Sequence, residues 1–210
     1  PLIIGSSGLT NNPERNKEFE KAGAGAIVLK SLFEEQIEMQ SDVLMQESDY
    51  PEAADYIRGY VKANQIKDYL ELIQKTKELC TIPVIASINC YKVDAWIEFA
   101  RQIELAGADA IELNVFFMET DLTYNSDTTR DLYVNIVRKV KETVSIPVTV
   151  KISKMVGNIP ALVQTLCVNG VDGVVLFNRF YQPDIDINNM QIVSGNVFSN
   201  HSDLSDTIRW

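Results

Sequence analysis

Short apolar runs recur along this chain, and each follows an amphipathic stretch that ends near a glycine. The phrase occurs three times, as KAGAGAIVLK at Lys21–Lys30, LAGADAIELN at Leu105–Asn114 and VNGVDGVVLFN at Val168–Asn178. A glycine just after a helix favours the left-handed conformation that ends the helix. The apolar run is typical of a strand that is buried on both faces of a parallel sheet. The repeat therefore predicts a (β/α) barrel, a fold that collects functional groups at the C-terminal ends of its strands.

A second phrase alternates with the first. It reads TIPVIASIN at Thr81–Asn89 and SIPVTVKIS at Ser145–Ser153, with proline at the start of each strand, where a missing N–H costs least. The combined pattern predicts six strands, near Leu2–Gly5, Ala26–Lys30, Val84–Asn89, Ala110–Asn114, Val148–Ile152 and Gly173–Asn178. It predicts helices from Asn12–Pro13 onward and at about Ile66–Leu79, Asp94–Leu105, Thr129–Val144 and Pro160–Asn169.

Two segments interrupt this alternation, residues 31–65 and 184–193, and both are expected to lie on the barrel mouth. The second predicts a hairpin around Asn188–Asn189. Since no shift in composition marks a second domain, residues 1–210 are expected to form a single (β/α)8 barrel domain. Six of the eight strands are recognisable, and an open barrel would leave unpaired strand edges. We therefore expect the chain to be a fragment truncated at its C-terminus.

Composition and charge narrow the classes of function. Apolar residues make up 46% of the 210 residues and charged residues 23%, which is typical of a globular protein. The net charge of −10 argues against binding to nucleic acid or to an anionic membrane surface. Cys80, Cys90 and Cys167 lie far apart without a CxxC motif, which favours reduced thiols, a cytoplasmic location and no metal site.

Polar residues stand at the predicted end of every strand. In chain order they are Ser6, Ser7 and Gly8; Lys30 and Ser31; Ser87 and Asn89; Glu112 and Asn114; Lys151 and Ser153; Asn178 and Arg179. The C-terminal ends of barrel strands share one mouth, so these side chains are expected to converge. Lysine and asparagine donate hydrogen bonds to carbonyl oxygens and ring nitrogens, which suits an electron-accepting heterocycle.

The strand-end motifs resemble, in order, those of the dihydroorotate dehydrogenase family of FMN-dependent barrels, and most closely a bacterial group described as dihydroorotate dehydrogenase-like. They are PLIIGSSGLT, VLKSLFEEQI, PVIASINC, ADAIELN, PVTVKIS and GVVLFNRFYQPDIDI. The resemblance covers essentially the whole chain. It implies an FMN-dependent oxidoreductase that transfers hydride between a small ring substrate and the flavin. It also implies a cytoplasmic homodimer that serves pyrimidine metabolism.

The resemblance assigns roles to individual residues. It implies that Lys30, Asn114 and Asn178 bind the substrate, and that Lys151 lies near the N1–C2 carbonyl side of the flavin, where positive charge stabilises reduced flavin. The full set implied to contact the flavin is Ser6, Ser7, Gly8, Lys30, Ser31, Asn89 and Lys151. The family binds the FMN phosphate with loops after strands seven and eight. The 210-residue chain is therefore expected to bind FMN weakly or not at all.

The catalytic base is the point where the chain departs from the family. The family's active-site loop begins N-x-x-C-P, or has serine in place of that cysteine, and this residue removes a proton from dihydroorotate. Here Phe117 occupies the position, three residues after Asn114, and phenylalanine cannot accept a proton. The catalytic residue is therefore unassigned. The other candidates, each more simply explained as a core or surface residue, are Cys90, Glu119, Asp121, Tyr124 and His201.

Two other functions fit the same residues. A lyase or aldolase barrel could use Lys30 or Lys151 as a Schiff-base nucleophile. A barrel without a base could instead retain flavin, or nothing, as a non-catalytic binding module.

Overall fold

The computed structural model describes residues 1–46, 54–90, 92–116, 125–179, 183–195 and 201–210. The strands of its main sheet are β1 (Leu2–Ile4), β2 (Ala24–Val28), β3 (Leu32–Phe33), β4 (Val84–Asn89), β5 (Ala110–Asn114), β6 (Val148–Ser153) and β7 (Gly173–Asn178). Six of them are parallel neighbours in the order β1-β2-β4-β5-β6-β7, and β3 pairs with the end of β4. Parallel strands that alternate with helices confirm the predicted TIM (β/α)8 architecture, of which the described residues contribute six consecutive neighbouring strands.

The helices follow the strands in alternation. They are α1 (Pro13–Lys21), α2 (Glu34–Gln46), α3 (Ala54–Leu79), α4 (Val93–Leu105), α5 (Ser126–Thr143), α6 (Ile159–Val168) and α7 (His201–Arg209). Gly23, Gly107 and Gly170 follow α1, α4 and α6 with φ of 99°, 92° and 89°, which confirms the left-handed helix ends predicted from the repeated phrase. Within the described residues, none of these helices has both the length and the apolar character that a membrane span requires.

The predicted strand Ala26–Lys30 was placed two residues too late. β2 begins at Ala24, directly after the Gly23 turn, and ends at Val28. Its ladder with β4 finishes with Val28 beside Ile85 and a 2.9 Å hydrogen bond from the Leu29 N–H to the Ile85 carbonyl, and the final residues of β4 pair instead with β3. Lys30 and Ser31 therefore lie in the link between β2 and β3 rather than at the end of a continuous strand.

The inserted segment 31–65 is largely helical where it is described, which sequence analysis did not anticipate. It holds β3, α2 and the first half of α3, so the helix predicted to begin at Ile66 begins at Ala54. Buried Val61, Ile66, Tyr69 and Ile73 form the inner face of α3. The predicted hairpin is present as β8 (Pro183–Asp186) and β9 (Gln191–Ser194), which pair antiparallel.

The two faces of the central strands differ in chemistry. Val84, Ala86 and Ile88 of β4 alternate with Ile85, Ser87 and Asn89, and β5 and β6 repeat this pattern. The aliphatic face belongs to the main core, together with Trp96 and Phe99 of α4. The opposite face carries polar side chains although it is also largely buried, so burial on both faces, as predicted, does not make both faces apolar. Polar residues on a buried sheet face need specific partners.

Acidic side chains join the two recurring phrases at the N-terminal ends of the strands. Asp109 accepts a 2.7 Å hydrogen bond from the Val84 N–H and pairs with Lys77 at 2.8 Å. Asp172 does the same one strand pair further along, with the Val148 N–H at 2.7 Å and Lys141 at 2.8 Å. Each aspartate therefore holds the start of a neighbouring strand and the preceding helix in one place.

We predict that Asp172→Ala lowers the free energy of unfolding by about 1–2 kcal/mol, because the buried strand start at Val148 loses its acceptor. The Lys141 ammonium, followed by the Val148 N–H, lowers the pKa of Asp172 below its ordinary 3.8. The stabilisation is therefore present above that pH and is lost as the pH falls through the lowered pKa.

Urea unfolding over a range of pH tests this loss. Asp131→Ala is the matched control, because exposed Asp131 pairs among the described residues with exposed Arg130 alone, and its effect should stay within about 0.5 kcal/mol. Equal effects of the two substitutions would contradict the assigned role of Asp172.

Candidate functional site

The strand register brings several predicted site residues onto one face of the sheet. Ser87 of β4 lies beside Glu112 of β5, and Asn114 of β5 lies beside Lys151 of β6. Because side chains alternate along a strand, Ser87 and Asn89, Glu112 and Asn114, and Lys151 all point from the same face. The predicted convergence of these strand ends is therefore visible in β4, β5 and β6.

A line of serine hydroxyls runs from the end of β1 to this face. Ser6 Oγ lies 3.1 Å from Ser31 Oγ and also accepts a 3.0 Å hydrogen bond from the Ser31 N–H. Ser31 Oγ lies 2.7 Å from Ser87 Oγ, which donates a 2.9 Å hydrogen bond to Glu112 Oε1. Four side chains from four different segments thus form one hydrogen-bonded chain.

Glu112 is the charged end of that chain, and it is almost fully buried, with 2% of its surface exposed. Burial raises the pKa of the Glu112 carboxyl above its ordinary 4.5, while the nearby Lys151 charge and the Ser87 hydroxyl act in the opposite direction. Desolvation is the largest of these effects, so the carboxylate form is disfavoured here relative to water.

Tyr69 of α3 fixes the backbone on which Ser87 stands. Its hydroxyl donates a 2.8 Å hydrogen bond to the Ser87 carbonyl and accepts one of 2.8 Å from the Ser87 N–H. β2 pairs with the start of β4 and β3 pairs with its end. The tyrosine hydroxyl therefore hydrogen-bonds the β4 backbone at Ser87, between these two paired stretches. Burial raises the pKa of this phenol, which remains a neutral donor and acceptor.

Three asparagines form a second group centred on β5. Asn89 donates a 2.7 Å hydrogen bond from Nδ2 to the Asn114 carbonyl, and Asn178 of β7 donates one of 2.7 Å to Asn114 Oδ1. Asn114 itself is 5% exposed. Because its oxygen already accepts a hydrogen bond, the Nδ2 group of Asn114 is the part left to donate to a ligand.

The two predicted lysines lie in different surroundings. Lys151 is half-buried on the polar face, and Lys30 is exposed in the link after β2. Among the described residues, neither ammonium group has an ion pair or a hydrogen bond. Lys30 lines a pocket with Gln65, Asp68 and Tyr69 of α3, so no direct contact places it with Lys151 and the asparagines.

Ser7 and Gly8 have a local structural role. Ser7 caps the 3-10 turn at Gly8–Thr10, where its Oγ accepts a 3.2 Å hydrogen bond from the Leu9 N–H. Both residues are exposed. Of the three predicted site residues that follow β1, Ser6 is the one that belongs to the chain of serine hydroxyls.

The candidate bases are only partly described. Phe117, Glu119, Asp121 and Tyr124 lie outside the described residues. Cys90 is buried, and desolvation raises the pKa of its thiol well above the ordinary value, which makes it a poor base near neutral pH. His201 begins α7 and is exposed.

Ser87 and Glu112 were expected among the converging strand-end residues but without a role in binding, and Tyr69 was not predicted. The signal for the first two was the alternation in S-I-N at the end of β4 and E-L-N at the end of β5, since a polar residue two positions before the end shares the face of the final asparagine. Tyr69 had no such signal, because its contact depends on how α3 packs.

Comparison with known proteins identifies the family. The sequence profile described as dihydroorotate dehydrogenase matches residues 1–199. The chain is 29% identical over 203 residues to the catalytic subunit of dihydroorotate dehydrogenase B (NAD(+)) of Thermoplasma volcanium, covering 94% of this chain and 64% of that relative. It is 28% identical over 188 residues to a putative dihydroorotate dehydrogenase A (fumarate) of Aeropyrum pernix, covering 88% of this chain and 59% of that relative. The chain thus spans somewhat less than two thirds of each relative's length.

Solved structures support the architecture. Phosphonopyruvate hydrolase in complex with oxalate and Mg²⁺ superposes with a TM-score of 0.55 at 19% identity, over 87% of this chain and 60% of that one. YagE of E. coli K12, a prophage protein of the dihydrodipicolinic acid synthase family, gives a TM-score of 0.51 at 15% identity, over 82% and 53%. Identities this low show a shared fold only. The family match over almost the whole chain, together with the strand-end motifs, shows that this chain belongs to the dihydroorotate dehydrogenase family.

Proposed function

We propose that this protein is an FMN-dependent oxidoreductase that resembles dihydroorotate dehydrogenase and transfers hydride between a small ring substrate and the flavin. The observation that carries the proposal is Lys151, a half-buried ammonium group on the polar sheet face without an ion pair among the described residues. A cation held at a site without a protein counter-ion in contact is suited to an electron-rich ligand atom.

The side chains of the polar face fit a flavin ring in chemistry. Asn89 and Lys151 offer groups that can hydrogen-bond carbonyl oxygens and ring nitrogens of the isoalloxazine. Ser6, at the half-buried end of the serine chain, offers a hydroxyl. The residues proposed to hold the flavin are Ser6, Ser7, Gly8, Lys30, Ser31, Asn89 and Lys151, as the family resemblance implies.

The substrate ring is proposed to bind at Asn114 and Asn178, with Lys30 at its edge. The Asn178–Asn114 hydrogen bond fixes both amides in one orientation, so the Nδ2 group of Asn114 is presented to a substrate carbonyl. Holding the substrate in one orientation supplies the proximity that hydride transfer requires. When bound, FMN would supply the hydride acceptor.

Dihydroorotate itself is not the proposed substrate. Phe117 stands where the family has a cysteine or serine base, and an aromatic ring accepts no proton and stabilises no carboxylate. We propose a less polar ring substrate of unspecified identity. Homodimer formation, a cytoplasmic location and a place in pyrimidine metabolism are part of the same proposal, because they follow from the family.

We predict that the 210-residue chain binds riboflavin and FMN weakly and with similar affinity, because every proposed contact is to the ring and the ribityl chain. Lys151→Met should weaken both by roughly tenfold to a hundredfold, the range expected for one charge-assisted hydrogen bond. Flavin fluorescence titration measures these affinities.

Lys154→Met is the matched control, since Lys154 is exposed and pairs with Asp206 at 3.4 Å. FMN binding much tighter than riboflavin binding would place phosphate-binding residues within this chain and contradict the assigned contacts. No binding of either flavin at high concentration, combined with a borohydride-trapped adduct on Lys151, would favour the Schiff-base lyase instead.

We also predict that dihydroorotate does not reduce the flavin-loaded protein at a useful rate, because general-base catalysis contributes about 10²–10⁴-fold and Phe117 cannot supply it. Anaerobic mixing with dihydroorotate, followed by flavin bleaching, tests this. Phe117→Cys should bleach measurably faster than the wild type, whereas Phe116→Cys, one residue earlier, should not. Rapid bleaching of the wild type would show that another residue supplies the base.

A further inference from the structure

The function proposed above does not use Glu112, although it is the most deeply buried acidic group on the polar sheet face. An ionised carboxylate in such a position lowers the stability of the fold, because burial removes the water that would solvate its charge. The same desolvation raises the pKa of Glu112. The surrounding groups are nevertheless arranged to receive a negative charge. The Ser87 hydroxyl donates to it at 2.9 Å, and the charge of Lys151 lies on the same face of the next strand.

The direction of the serine chain follows from this contact. A hydroxyl has one proton, and the proton of Ser87 is used toward Glu112. The 2.7 Å contact between Ser87 and Ser31 therefore requires the proton of Ser31, and the 3.1 Å contact between Ser31 and Ser6 requires the proton of Ser6. All three hydroxyls point toward Glu112 for as long as the carboxylate is ionised.

The consequence appears at the other end of the chain. Ser6 is half-buried at the end of β1, its proton is directed at Ser31, and its oxygen accepts the Ser31 N–H at 3.0 Å. What remains for a ligand is a lone pair of Ser6 Oγ. A Glu112 that carried a proton on Oε1 would instead donate to Ser87 and reverse the chain, which would leave Ser6 with a proton to donate.

We propose that Glu112 is an ionised positioning residue that orients the hydroxyls of Ser87, Ser31 and Ser6, so that Ser6 presents a hydrogen-bond acceptor to ligand O–H or N–H groups. This specificity favours polyols and amides over phosphates and carboxylates at the β1 end of the site. The inference rests on the proposed function only in taking the ribityl hydroxyls of a flavin as the donors.

The first test needs no ligand. Among the described residues, the groups that face Glu112 are the Ser87 hydroxyl from β4, the Lys151 ammonium from β6 and the Tyr69 phenol from α3, whose raised pKa keeps it neutral. Because the pKa of Glu112 is raised, the folded state binds more protons than the unfolded state above pH 4.5, so the carboxyl loses stability as the pH rises through the raised pKa. In urea unfolding, the free energy of unfolding of Glu112→Gln relative to the wild type should therefore increase as the pH rises.

Thr149→Val is the matched control, since Thr149 lies directly beside Glu112 in the register and its hydroxyl donates a 3.3 Å hydrogen bond to the Ile111 carbonyl, its one side-chain hydrogen bond within the described part of the chain. Its difference from the wild type should not change with pH over that range. Slowly exchanging hydroxyl protons of Ser31 and Ser87 in NMR spectra should show nuclear Overhauser contacts directed toward Glu112 at neutral pH. Parallel pH curves for the wild type and Glu112→Gln, or hydroxyl protons directed toward Ser6, would overturn the proposal.

The second test measures riboflavin affinity in a double-mutant cycle of Ser6→Ala and Glu112→Leu, because leucine cannot accept the Ser87 hydroxyl whereas glutamine still could. Glu112→Leu also removes a charge that faces Lys151, but this contribution is present with or without the Ser6 hydroxyl and cancels in the cycle. The remaining coupling should be about fivefold, the size expected for one neutral hydrogen bond. Additive effects would overturn the assignment of Ser6 as an acceptor. Absence of riboflavin binding by the wild type would count against the proposed function alone, because the ligand-free test still decides the role of Glu112.

Discussion

The register of β4, β5 and β6 is the constraint on which this site depends. Ser87 lies opposite Glu112, which lies opposite Thr149, and the intervening Ile88, Leu113 and Val150 face the helices. A slip of one residue would exchange the two faces of a strand. It would turn Glu112 toward the aliphatic core and expose leucine to the polar side. The packing energy of the helices therefore also determines which polar groups meet on the opposite face.

Different contacts stabilise this register at the two ends of the strands. At the N-terminal ends, Asp109 and Asp172 accept the first strand amides of β4 and β6 and pair with lysines of the helices before them. At the C-terminal ends, Tyr69 and the asparagine cluster satisfy backbone groups without closing off the polar face. Stabilising ion pairs thus lie at one rim, and the opposite rim, where Lys151 forms no ion pair among the described residues, is left for a ligand. Barrels commonly separate stability from chemistry in this way.

Much of the architecture could be predicted from the sequence because strong local signals repeat. The bounds of β4, β5 and β7 match the prediction, since each strand is bounded by a proline or glycine turn before it and a polar residue at its end. β2 and α3 were misplaced for opposite reasons. β2 is cut short by competition from β3 for the edge of β4, which is a tertiary effect. α3 extends through a polar segment whose buried residues are too widely spaced to reveal a helix against its surface of lysine and glutamate.

The site was less predictable than the fold, because its contacts join residues that are distant in the chain. Ser6 and Ser31 are 25 positions apart, and Ser31 and Ser87 are 56 apart. Each serine alone is an ordinary strand-end residue, and only their order in space gives them a common direction. That direction is imposed by a single charge that the fold tolerates at a cost, whereas an aliphatic residue at the same position would pack without one. Glu112 is buried although burial disfavours its charged form, and a hydroxyl donor and the Lys151 charge lie close to it. Orienting the serine hydroxyls explains this arrangement better than stabilising the fold does.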